Sequence, residues 1–281
     1  MKCFAVALMS LAIAATHAAE STPDSFPGAE TFEFRQVKDA ALRLHVFKPE
    51  GMQPGERRAA FVFFFGGGWN RGTPERSAGW ARMAAQWGLV GIAPDYRTRD
   101  RFDTTPLDAV ADARAAFHWI QAHAVELGLD PARIVVGGSS AGGHLALWTA
   151  IPATPPGSDP QHTATHPPAA LVLLSAVSDT SSLAGYGRIR FGDHAAALSP
   201  LHQLPRRMPP TLAFHGDADP TVPYSQAVAL QDKLVASGNS GELVTVPGGS
   251  HGFSTDLPEW KDKVRVKVQE FLRAQALLPP S

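Results

Sequence analysis

The chain has 281 residues, 44% of them hydrophobic, enough to bury one large core or two small ones. Its 25 Lys plus Arg nearly balance 26 Asp plus Glu, so the totals argue against a nucleic-acid or other polyanionic partner and favour a small neutral substrate. One cysteine excludes a disulfide framework.

The opening stretch, "MKCFAVALMSLAIAATHAAES", passes from Lys2 through an apolar run at 3–15 to the small residues Thr16, Ala18 and Ala19. That is the grammar of a cleavable secretory signal, and the run is shorter than the ~20 residues a membrane span needs. Residues 1–19 are expected to be removed, leaving 20–281 as a single domain that is exported, periplasmic or secreted, with no membrane partner. The competing reading is a buried first helix. Cys3 lies inside the signal, so the exported protein is expected to carry no thiol and to draw its stability from its core.

From residue 31 the pattern turns to β structure: "TFEFRQV" alternates, and after a turn at Lys38 and Asp39 "LRLHVFKP" alternates again, which predicts an antiparallel hairpin with one wet face. "AAFVFFF" at 59–65 is a continuous apolar run, as in a strand buried on both faces. Similar runs follow at 89–96, 133–138, 170–177, 211–216 and 242–248. Helical patterns fill the gaps at 76–87, 106–127, 141–150, 224–237 and 260–276. Such alternation predicts an α/β protein: about eight strands, mostly parallel, with helices on both faces of the sheet. Two segments fit no element, the Pro-rich 152–169 and an excursion at 178–200. The second follows a strand, where ligand sites of open α/β sheets are built, and is either a small lid or a surface insertion.

The chemistry concentrates at "VVGGSSAGGHLAL", 135–147. Gly138, Ser140 and Gly142 form GxSxG between an apolar strand and a helix starting near Ala141. A sharp strand-to-helix turn strains the central residue, and glycines flank it because side chains there would collide with neighbouring elements. Ser140 is the candidate nucleophile, and the Ala141 amide, at the helix N-terminus, is a natural oxyanion donor. Ser139 is read as a neighbour without a catalytic role.

A serine hydroxyl needs a base, and the base an orienting acid. "HGDADPTVP" follows the seventh predicted strand and "GGSHGF" the eighth, which nominates Asp219 and His251. Asp217 is the rival acid. Among the eleven histidines, His144 lies one turn after Ser140 and is expected to pack beneath the site, while His215 is expected to be structural.

With "FFFGGGW", "GSSAGGHLAL", "HGDADPTVP" and "GGSHGF" in this order, the chain resembles α/β-hydrolase esterases and lipases. It is most similar to small exported acetyl esterases and feruloyl-esterase-like carbohydrate esterases, with hormone-sensitive-lipase-type carboxylesterases as cousins. The resemblance implies the α/β-hydrolase fold, a Ser140, Asp219, His251 triad, and an oxyanion hole completed by the amides of Gly67 and Gly68. Family members carry histidine where this chain has Phe65, so packing of Phe65 must replace whatever that side chain braces. Trp69 and Phe253 are candidate pocket residues, Trp69 being equally well read as core.

No metal-ligand cluster and no phosphate-cradling loop is visible, and no cofactor is expected. The expectation is a serine carboxylic ester hydrolase acting through an acyl-enzyme on short-chain esters, acetyl above all, of small molecules, plant polysaccharide or xylo-oligosaccharide. The rivals are a serine peptidase or amidase on the same fold, and a catalytically inactive binding protein.

Overall fold

The computed structural model describes residues 22–38, 40–155, 164–181 and 186–278, so the expected signal at 1–19 lies outside the described residues. The chain opens with strands β1 (Glu30–Val37), β2 (Ala40–Phe47) and β3 (Arg58–Phe64), then alternates helices and strands. Helix α1 (Glu75–Gln86) precedes β4 (Val90–Pro94), and α2 (Arg99–Phe102), α3 (Pro106–Ala122) and α4 (Ala124–Leu127) precede β5 (Leu129–Ser139). Next come α5 (Ala141–Ala150), β6 (Ala170–Leu174), α6 (Tyr186–Phe191), α7 (Pro200–Gln203) and β7 (Thr211–Gly216). The described chain ends with α8 (Tyr224–Ala236), β8 (Gly241–Val246), α9 (Phe253–Asp256) and α10 (Pro258–Ala274).

All eight strands join one sheet in the order β1-β2-β4-β3-β5-β6-β7-β8. Pairing is antiparallel for β1 with β2 and β2 with β4, and parallel from β4 through β8. The hairpin is where the sequence alternates, whereas the inner parallel strands β3, β4, β6 and β7 are buried along nearly their whole length and the edge strand β8, GELVTV, is mostly half-buried.

That continuity has a physical cause in β3. Its side chains alternate between faces, yet both faces are covered. Ala60, Val62 and Phe64 enter a core with Val110 and Phe117 of α3, Leu145 of α5 and Leu230 of α8. Phe61 and Phe63 enter the opposite core with Ala84 of α1 and Val264 and Val268 of α10. Burying side chains of this size stabilises by roughly 1.5–3 kcal/mol each.

The predicted helix at 106–127 is instead two, α3 and α4, because His123 leaves helical geometry at φ −102°, ψ 19°. Strand β5 begins at Leu129, upstream of the apolar run, since Leu129 already pairs with Arg58. Asp112 of α3 anchors the hairpin and the end of β4 together, receiving Arg35 at 2.8 Å and Arg97 at 2.7 Å.

Candidate active site

Ser140 lies at the apex between β5 and α5, with φ 53° and ψ −120°. A side chain held at such a backbone angle costs of order 1–3 kcal/mol and persists only where the surroundings fix it. Here the Ser140 amide donates to Leu174 O at 2.9 Å, and its carbonyl accepts from the amides of His144 and Val177. Room is equally restricted: a Cβ at Gly138 would lie 2.3 Å from the Gly142 carbonyl carbon, and one at Gly142 would lie 2.1 Å from Phe64 O. The two glycines of the elbow are therefore a steric requirement.

Beyond the ends of β7 and β8 come Asp219 and His251. His251 Nδ1 is 2.7 Å from Asp219 Oδ2, and His251 Nε2 is 2.9 Å from Ser140 Oγ. An ionised carboxylate can only accept, so the proton sits on Nδ1, and Nε2 presents its lone pair to the serine hydroxyl. Asp219 Oδ1 accepts from the amides of Thr221 and Val222 at 2.8 and 2.9 Å. Burial opposes ionisation of this carboxyl, but hydrogen bonds from His215, His251 and those two amides outweigh it and hold Asp219 well below the usual carboxylate range.

The other named residues sit elsewhere. Asp217 is exposed and accepts from the Gly248 amide at 2.7 Å, away from His251. His215 is buried, its Nε2 donating to Val222 O at 2.9 Å and lying 3.2 Å from Asp219 Oδ2, so it braces the acid. His144 is fully buried and bonds Leu198 O through Nε2 at 2.8 Å.

The glycine loop closes the other side. A Cβ at Gly66 would lie 3.3 Å from Ser140 Cβ, which puts the loop directly beside Ser140. Gly67 has φ +152°, and a Cβ there would lie 1.9 Å from Arg71 O, so no side chain fits. Among the described residues, the Gly67 and Gly68 amides donate to no backbone carbonyl or side chain, and Ala141 is the first residue of α5, where amides lack an intrahelical partner. Phe65, just before the loop, is buried and stacked on the Tyr96 ring, centroids 4.0 Å apart.

A cavity of about 730 Å³ opens above Ser140 and His251 and is walled by the loop glycines, Trp80 and Phe253. Trp69 does not line it. A left-handed backbone, φ 57°, turns its indole away, where it is buried edge-on to Phe191 at 4.7 Å and His144 at 5.1 Å. Sequence reasoning missed Arg71 and Thr221, whose loop side chains follow no readable period, Arg76 and Trp80 of α1, where a helical period does not tell which residues meet a cavity, and Ser254 and Thr255 of α9, a helix too short to show a period. The described part of the 178–200 excursion contributes nothing to this wall; residues 182–185 lie outside the described residues. Among the described residues no three His, Cys, Asp or Glu side chains gather as for a metal.

A family model described as alpha/beta hydrolase fold matches residues 61–255. The chain belongs to the α/β-hydrolase family. Among its relatives, this α/β hydrolase is 30% identical over 213 residues to carboxylesterase NlhH of Mycobacterium tuberculosis, covering 68% of this chain and 65% of the relative. It is 29% identical over 240 residues to esterase LipC of the same species, spanning 76% of this chain but only 58% of LipC. In structure it is similar to apo Thermogutta terrifontis esterase 2, with TM-score 0.83, 36% identity, and coverage of 91% of this chain and 97% of that one. That esterase has also been solved with propionate bound, with butyrate bound, and phosphorylated by paraoxon.

Proposed function

We propose that this α/β hydrolase is a serine carboxylic ester hydrolase. One observation carries the reading: an unbroken hydrogen-bond chain, Asp219 to His251 to Ser140, ends on a strained serine beside a glycine loop at the floor of an open cavity. Ser140 Oγ attacks the ester carbonyl while His251 Nε2 takes its proton. Asp219 holds the imidazole in that tautomer and steadies the positive charge that forms. The amides of Gly67, Gly68 and Ala141 receive the developing oxyanion, where fixed donors act most strongly. His251 then returns the proton to the leaving alcohol, and water, deprotonated by the same histidine, clears the acyl-enzyme.

Short acyl groups are the favoured substrates, acetyl first, on small alcohols or on plant polysaccharide and xylo-oligosaccharide. Propionate and butyrate in the Thermogutta esterase support the small acyl size. Residues 1–19 are inferred to direct export and to be cleaved.

The test is a panel of nitrophenyl acetate, butyrate and octanoate beside acetylated xylan and an aminoacyl anilide, each assayed with Ser140→Ala as control. Turnover that favours acetate or butyrate and vanishes with Ser140→Ala is the expected result. Cleavage of the anilide above all esters would replace the reading with an amidase, and turnover surviving Ser140→Ala would remove the proposed nucleophile.

A further inference from the structure

The wall of the cavity above Ser140 is electrically one-sided. Among the described residues lining it there is no Asp or Glu, whereas Arg71 and Arg76 both reach it. Arg76 is engaged with another group, so the inference stands on Arg71 alone. Arg71 is exposed, and its guanidinium has no ion pair or hydrogen bond to any described residue. Its backbone, by contrast, is fixed: the amide donates to Gly67 O at 3.2 Å, and its carbonyl oxygen occupies the space where a Gly67 Cβ would stand. The next residue, Gly72, abuts the Phe65 ring, where a Cβ would lie 2.9 Å from Phe65 Cδ2. A cation on a long stem is thus anchored at its base to the glycine loop beside Ser140. Elsewhere the cavity wall includes Trp80, stacked on Phe63 at 4.8 Å, and the residues Ser254 and Thr255.

A guanidinium presents a planar fork that matches a carboxylate bidentately. In a concave site with no balancing acid its field is focused on whatever enters. We propose that Arg71 makes this site selective for esters that also carry a carboxylate, placed away from the scissile bond on either the acyl or the alcohol part. The proposal deepens, and rests on, the serine-esterase reading.

Two matched pairs test it. On the acyl side, nitrophenyl hydrogen glutarate is compared with its methyl ester; on the alcohol side, acetoxybenzoate is compared with acetoxybenzamide. The readout is the charged-to-neutral ratio of kcat/KM for the natural chain and for Arg71→Lys, Arg71→Met and Arg71→Glu. A ratio of roughly ten is expected in one arm, which identifies the side of the ester that Arg71 meets. That ratio should persist in part with lysine, fall to about one with methionine, drop below one with glutamate, and shrink with added salt. A ratio of one or less in both arms, or one that survives Arg71→Met, overturns the proposal and leaves Arg71 a solvated rim charge. Loss of neutral-ester turnover in Ser140→Ala tests the esterase reading separately. Should no ester be turned over, calorimetry of glutarate binding to Ser140→Ala decides: weakening by Arg71→Met supports the proposal, and equal affinity sinks it.

Discussion

The phenol of Tyr96 donates to the carbonyl oxygen of Phe65 at 2.9 Å while the two rings lie nearly parallel, 15° apart. One residue thus holds both the backbone and the side chain from which the glycine loop departs. Burial, the largest influence, pushes the Tyr96 phenol far above its ordinary range, so it remains a donor at any working pH. Phe65→Ala should cost about 3–5 kcal/mol of stability and lower kcat more than it raises KM, since an oxyanion contact strengthens mainly in the transition state. Tyr96→Phe, which keeps the stack and deletes the hydrogen bond, should cost only about 1 kcal/mol. Urea unfolding and steady-state kinetics on both variants measure this; a fully stable, fully active Phe65→Ala would dismiss the brace.

Replacing Ser140 or His251 by alanine should lower kcat by roughly 10⁴-fold. Neither change should weaken the fold, because Ser140→Ala relieves nothing in the core and His251 is partly exposed. Circular dichroism alongside the ester assay separates lost chemistry from lost structure. Near-normal turnover in either variant would require another nucleophile or base.

His144 supplies a pH dependence of stability. Burial lowers its pKa to about 4, with the Leu198 carbonyl opposing the shift. In the unfolded chain an ordinary histidine binds a proton below about 6.5. The unfolded state therefore takes up protons first, so this contribution is intact above 6.5 and is lost as pH falls from there towards 4. By pH 5 the loss should reach about 2 kcal/mol from this residue. His45, also buried and lowered to about 4 chiefly by burial, acts in the same direction. Urea midpoints at pH 7 and pH 5 should converge for His144→Gln relative to the natural chain; an unchanged gap would exclude His144 as the source.

Arg190 connects the post-β6 excursion to the loop, donating to Trp69 O at 3.0 Å and Thr104 O at 3.2 Å. Since Trp69 follows Gly68 directly, Arg190→Met should loosen the proposed oxyanion donors and lower kcat roughly tenfold with little change in KM. A rise confined to KM would place Arg190 in substrate binding instead.

How far the sequence disclosed this arrangement depends on what kind of force fixed each part. The buried strands were legible because burial on two faces writes an unbroken apolar run, as in 59–65, and the elbow because its glycines answer a steric demand that no other residue meets. The order Ser140, Asp219, His251 was legible because each follows a strand. Four-residue helices such as α2 and α9 were not, being shorter than any period that would reveal them. Trp69 was ambiguous for a related reason: one left-handed backbone angle decides whether its indole faces the cavity or the core, and composition carries no trace of that angle. Arg71, two residues on, escaped notice on the same ground.

Strand order also sets a sequence in time. Ser140 follows the strand at the middle of the sheet, while His251 follows the edge strand β8, and 111 positions of chain separate the two ends of their hydrogen bond. Contacts of such long range close late, after nearer pairings have removed the entropy of the intervening chain. A nascent polypeptide thus possesses its serine, its glycine loop and most of its sheet well before it possesses a base. On the proposed mechanism the hydroxyl stays an ordinary alcohol until β8 docks, and reactivity arrives with that last strand.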